Sequence, residues 1–115
     1  MTENKLADLS TEFAIQILKM TDNIKGHYSL SNQLERSGTS IGANIREAKY
    51  AHSRPDFFAK LQIALKECYE TEYWLEIAQK AGLISDDTAK MVMHDCGSIR
   101  RMLISSINTA KEHSK

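Results

Sequence analysis

Between Gln33 and Lys49 the chain reads QLERSGTSIGANIREAK, a stretch with helical spacing that is small and polar where a solvent-facing helix carries long charged side chains. Leu30, Leu34, Ile41, Ile45 and Ala48, with Ser37 between, follow one another at steps of three or four and define one buried face. A second ridge, Gln33, Ser40, Asn44 and Glu47, runs beside it. Gly38 and Gly42, with Ser37, Thr39 and Ser40, lower the helix propensity of the segment. A sequence tolerates that cost where a neighbouring backbone must come close. The segment is therefore expected to pack on two sides, with the second contact polar.

Around this segment the punctuation divides the chain into four helices. The first is expected over residues 6–25, with Leu6, Leu9, Phe13, Ile17, Met20 and Ile24 at three-four spacing and Gly26 as its left-handed stop. The second spans 29–51 with Ser29 as cap. Ser53-Arg54-Pro55-Asp56 opens the third, 54–81, in the order cap, proline, acidic residue. It carries Phe57, Phe58, Leu61, Leu65, Cys68 and Leu75 and ends near Gly82. Ser85-Asp86-Asp87 opens the fourth, 86–111, where carboxylates suit the positive end of the helix dipole; its stripe is Val92, Cys96, Ile99, Leu103, Ile107 and Ala110. No strand alternation or repeat interrupts the pattern. Helices of this length joined by short loops predict an all-α, antiparallel up-and-down four-helix bundle forming one domain over 1–115.

Composition narrows the function classes. Lys plus Arg and Asp plus Glu number 15 each, so no global field draws the chain toward nucleic acid or an anionic membrane. No apolar run approaches the length of a membrane span, and the N-terminus lacks a basic-then-apolar leader. Cys68 and Cys96 fall inside helical patterns, which predicts reduced core thiols and a cytoplasmic protein. Di-metal bundles need inward Glu-x-x-His pairs, and none occurs. His27, His52, His94 and His113 are scattered, the two cysteines are far apart in sequence, and Gly38-x-x-x-Gly42 lacks the lysine of a phosphate loop. The expectation is a protein that is not an enzyme and uses neither metal nor cofactor.

Several apolar side chains project away from the buried stripes. On the third helix these are Ile63, Tyr73, Trp74 and Ile77; on the first, Ile15 and Leu18; on the fourth, Met91 and Met102. Grouped on one helix, and including the only Trp, the third-helix set reads as an oligomer interface. Widened core stripes are the plainer alternative. Glu72 is the converse, a carboxylate where the period expects a core residue, with Asn44 and Gln33 as partners by type.

Charge is segregated along the chain. Residues 29–66 hold six basic residues (Arg36, Arg46, Lys49, Arg54, Lys60, Lys66) against three acidic, whereas residues 67–87 hold six acidic against Lys80. Arg36 and Arg46 project opposite the buried stripe of the second helix, with Lys49 on its flank. An ordinary solvated face is the simplest account of them. In an identical-subunit ring, however, such a face repeats and its field accumulates.

The run Gln33-Leu34-Glu35-Arg36, followed by Ser40-Ile41-Gly42-Ala43-Asn44-Ile45-Arg46-Glu47, resembles the signature of the four-helix-bundle family encoded by intervening sequences within bacterial large-subunit rRNA genes. The resemblance continues through Phe57-Phe58-x-x-Leu61-x-Ile63-Ala64 to Glu70 and Glu72. The accessory proteins of diversity-generating retroelements look similar in fold. Such a resemblance implies a ring-shaped homopentamer that binds RNA or DNA, with a reverse transcriptase as partner in the retroelement branch. It makes Arg36, Arg46 and Lys49 the candidates for phosphate contact, and Gln33, Asn44 and Glu47 the candidates for a polar packing network; Arg54 joins the first set and Glu72 the second as expectations from the sequence itself. The rival expectation is a scaffold that binds protein through the Tyr73, Trp74 and Ile77 face without touching nucleic acid.

Overall fold

The computed structural model describes residues 2–113, so that Met1 and residues 114–115 of the expected domain lie outside the described residues. Four helices form in chain order: α1 (Thr2–Thr21), α2 (Tyr28–Lys49), α3 (Arg54–Lys80) and α4 (Asp86–His113). Each packs on its sequence neighbours and α4 closes against α1, leaving α1–α3 and α2–α4 as the diagonals of an up-and-down bundle. The bundle measures 48 × 21 × 20 Å. Its core is the set of three-four stripes: Phe13, Ile17, Leu34, Ile41, Leu75, Val92, Ile99 and Leu103 are almost wholly excluded from solvent.

The small residues of α2 serve two different neighbours. A Cβ added to Gly38 would meet the Ile17 side chain at 2.9 Å, and one added to Gly42 would meet Ser10 Oγ at 3.1 Å, so both glycines admit α1. Toward α3 the contact is polar. Thr71 Oγ1 donates to Ser37 Oγ at 2.9 Å, and Ser37 Oγ donates to the Gln33 carbonyl at 2.9 Å, within a seam that excludes water. The buried line of α3 accordingly includes Ala64, Thr71 and Ala78, which thin the helix for this approach, while Phe57, Phe58 and Leu65 are only half-buried.

Helix ends depart from expectation at the first connection. α1 stops at Thr21, four residues early, because Asn23 and Ile24 turn back onto the Met20 and Thr21 carbonyls and carry Ile24 into the core. Gly26, with φ +81°, lies in the connection and does not cap α1. The N-cap of α2 is His27, with no side-chain bond, and not Ser29. The Ser31 amide already bonds the His27 carbonyl, which puts Ser29 inside the first turn. The other signals hold: Ser53 Oγ accepts from the Asp56 amide at 3.2 Å and Ser85 Oγ from the Thr88 amide at 3.1 Å. Gly82, at φ +74°, ends α3 with its own amide on the Gln79 carbonyl and the Leu83 amide on that of Ala78.

Candidate nucleic-acid interface

Arg46 and Lys49 occupy the last turn of α2, where a cation complements the negative end of the helix dipole. Arg54 is the first residue of α3, delivered by the Ser53 cap. The α2–α3 connection brings all three to one end of the bundle, beside the start of α1 and the last turns of α4. There they line a cleft of about 1080 Å³. The half-buried Ala7, Ala51 and Phe57 give it apolar lining over the core residues Leu6, Ile45 and Leu61; Tyr50, His52 and the α4 residues Ser105 and Ser106 also line it. Among the described residues Asp8 is the one acidic side chain on the lining. Arg46, Lys49 and Arg54 are exposed and form no ion pair among the described residues, although the Lys49 ammonium lies 5.9 Å from the Tyr50 ring centroid.

Arg36 does not share that environment. Its guanidinium bonds Glu67 at 3.0 Å, pairs with Glu70, and donates from Nε to Gln33 Oε1 at 3.0 Å. Two α3 carboxylates therefore neutralise it, and ten residues of helix, roughly 15 Å, separate it from Arg46. The four residues expected to form a polar network are likewise dispersed. Gln33 holds Arg36, Asn44 Nδ2 donates to the Ser40 carbonyl, and Glu47 pairs with Lys60 at 3.0 Å. Glu72 is partnered neither by Asn44 nor by Gln33 but by Arg100 of α4, at 2.9 Å. That bond holds the Arg100 guanidinium above its ordinary range. Glu67 and Arg100 escaped sequence reasoning. A usable signal existed for Arg100, which lies one turn past Cys96, the α4 residue that packs on the stripe Glu72 shares with Cys68.

The expected interface divides as well. Ile63 and Tyr73 are exposed, as are Ile15 and Leu18, but Trp74 and Ile77 are half-buried. Trp74 packs on the core and donates from its indole nitrogen to Glu70 Oε2 at 3.0 Å, so it is not the solvent-facing anchor that helical projection predicts. On α4, Met91 is exposed whereas Met102 packs against the core. Cys96 Sγ donates to the Cys68 carbonyl at 3.6 Å; hydrogen bonding with Cys68 and burial push its thiol far up, which keeps it protonated. Among the described residues no group of three His, Cys, Asp or Glu is placed to hold a metal ion, and no helix is long and apolar enough to cross a membrane.

The family model described as 23S rRNA-intervening sequence protein matches residues 2–105. The solved structure of a protein of unknown function, from the S23 ribosomal protein family of Bacteroides thetaiotaomicron, superposes with a TM-score of 0.89. Its sequence is 44% identical, and the match covers 94% of this chain and 99% of that chain. No curated protein matches the chain.

Proposed function

Because this chain belongs to the 23S rRNA-intervening sequence protein family, we propose that it is a non-enzymatic helical bundle that assembles with copies of itself and binds nucleic acid through phosphate contacts. The contacts come from Arg46, Lys49 and Arg54. The observation that carries this reading is their convergence around one cleft where, among the described residues, they have no carboxylate partner and Asp8 is the single acidic residue on the lining. Unpaired cations on a rim attract a polyanion through counterion release, largely without regard to sequence. Arg36, which sequence reasoning placed in the same group, serves the α2–α3 seam and drops out of the binding set. Assembly, for which the family resemblance implies a ring of five, is supported by the exposed Ile15, Leu18, Ile63 and Tyr73. It would repeat the cleft around the particle.

The test is fluorescence anisotropy of a labelled RNA over a range of salt, with native mass followed by light scattering. Three phosphate contacts give a slope of log K against log salt of about −2, at roughly −0.7 per contact with a single strand. Charge reversal at Arg46, Lys49 and Arg54 together removes that slope and leaves the mass unchanged. Binding that survives the triple reversal, or no binding at low salt, defeats the nucleic-acid reading; a monomeric mass defeats assembly.

A further inference from the structure

The shape and chemistry of the cleft go further than its charge. We infer that it receives a single-stranded segment, with unstacked bases on its apolar lining and against Tyr50, and that it discriminates against duplex. This rests on the reading of the cleft as a nucleic-acid site. Phosphate contact alone requires only cations on a surface, and a duplex offers little else because its bases are stacked inside. Here the cations rim a concavity whose lining includes the half-buried apolar residues Ala7, Ala51 and Phe57, backed by the core residues Leu6, Ile45 and Leu61. Each class of surface matches one part of a nucleotide: the rim its phosphate, the apolar lining the face of its base.

Tyr50 is the second observation. It is the C-cap of α2, 70% exposed and part of the cleft lining, with the Lys49 ammonium over its ring 5.9 Å from the centroid. A cation beside an accessible aromatic face at a groove is the arrangement by which proteins hold single strands: bases stack on the ring while neighbouring charges track the backbone. Size agrees. A cleft of about 1080 Å³ is just above the roughly 300–1,000 Å³ of small-ligand pockets, which is room for nucleotides of a strand and too little to enclose a double helix.

The inference is tested by anisotropy with three probes: a labelled single-stranded oligouridylate, a blunt RNA duplex of equal length, and uridine monophosphate as competitor. The wild-type protein should bind the single strand more tightly than the duplex and be displaced poorly by the mononucleotide. Tyr50→Ala should weaken single-strand binding by about 5- to 150-fold, the range of one lost stacking contact, and leave duplex binding unchanged; Tyr50→Phe should retain it. Tyr50 lies outside the core, so both variants should keep the wild-type circular dichroism and melting curve. Equal or tighter duplex binding, an unaffected Tyr50→Ala, or displacement by uridine monophosphate at oligonucleotide concentrations overturns the inference. Displacement by polyglutamate as readily as by RNA also overturns it, in favour of an acidic protein segment. Loss of both RNA forms on reversing the three cations, with no effect of Tyr50→Ala, refutes the single-strand claim alone. No effect of either change refutes the nucleic-acid reading itself.

Discussion

Gly38→Ala tests the reason for the small residues of α2. The added methyl meets Ile17 Cγ1 at 2.9 Å, Cγ2 at 3.1 Å and Cβ at 3.3 Å. Ile17 is fully buried and, being β-branched on a helix, has one strongly preferred rotamer, so it cannot swing aside. Overpacking of this kind costs about 1–3 kcal/mol, whereas replacing Gly by Ala in a helix interior gains about 1 kcal/mol. The net is a destabilisation of about 1 kcal/mol, or roughly 4 °C in melting temperature at about 2.1 cal/mol/K per residue. Gly42→Ala provides the control. Its methyl meets Ser10 Oγ at 3.1 Å and nothing else closer than 3.4 Å, so the propensity gain roughly cancels the crowding and stability barely moves.

The assay is urea unfolding followed by circular dichroism at fixed protein concentration, since assembly would couple stability to concentration. A double-mutant cycle isolates the contact. In an Ile17→Ala background, which lacks Cγ1 and Cγ2 and keeps only the mildest contact, Cβ at 3.3 Å, Gly38→Ala should become stabilising by roughly 1 kcal/mol. The interaction energy is then about 2 kcal/mol. If Gly38→Ala is stabilising in the wild type, or its effect is the same in both backgrounds, close approach of α1 is not why glycine occupies that position.

Arg36→Met removes the cation from two α3 carboxylates, of which Glu67 has only 10% of its side chain exposed. Because the Arg36 side chain is 48% exposed, solvent screening reduces the loss to about 1–2 kcal/mol, below the 3–5 kcal/mol of a fully buried pair. Adding Glu67→Gln should recover part of that loss in urea unfolding, while RNA affinity stays within a factor of about two. A large, salt-dependent loss of RNA binding in Arg36→Met would return Arg36 to the phosphate set. The Lys60 ammonium is raised above 10.5, first by its hydrogen bond to Glu47 and then by that carboxylate's charge. Its contribution to stability is therefore fully present below pH 10.5 and lost as pH rises through the folded value. Glu47→Gln should shift the Lys60 NMR titration down toward 10.5, and an unmoved midpoint would refute the pair.

Where burial follows hydrophobicity, the fold was legible. The stripes Phe13, Ile17, Met20, Ile24 and Val92, Cys96, Ile99, Leu103, Ile107 are buried as their spacing predicts. On α3 the principle changes. Ala64, Thr71 and Ala78 are buried because a helix with small side chains lets α2 come near, and a pattern scored on hydrophobicity overlooks them in favour of Phe57 and Phe58. Trp74 shows a different limit. Helical projection gives the direction of Cβ, but a side chain this large travels well beyond Cβ. Its indole lies back against the core and bonds Glu70, one turn earlier on the same helix.

The site was less legible because a cation is free or neutralised according to what the neighbouring helix presents. Arg36 and Arg46 lie on one helix and are separated by only about 80° at 100° per residue, so a helical wheel treats them alike. Their environments differ because α3 runs antiparallel alongside. It sets Glu67 and Glu70 opposite Arg36, whereas its first turn, near Arg46, begins with Arg54. The segregation of charge visible in the sequence thus has two consequences in one pair of helices. Where Arg36, in the first half of α2, meets the acidic half of α3, opposite charges pair and tighten the seam. At the connection both helices are basic, and among the described residues no carboxylate pairs with Arg46, Lys49 or Arg54. Loop length decides which half meets which. A connection of four residues, Tyr50 to Ser53, folds the basic ends together and makes the charge on the rim a product of topology rather than of net charge, which is zero.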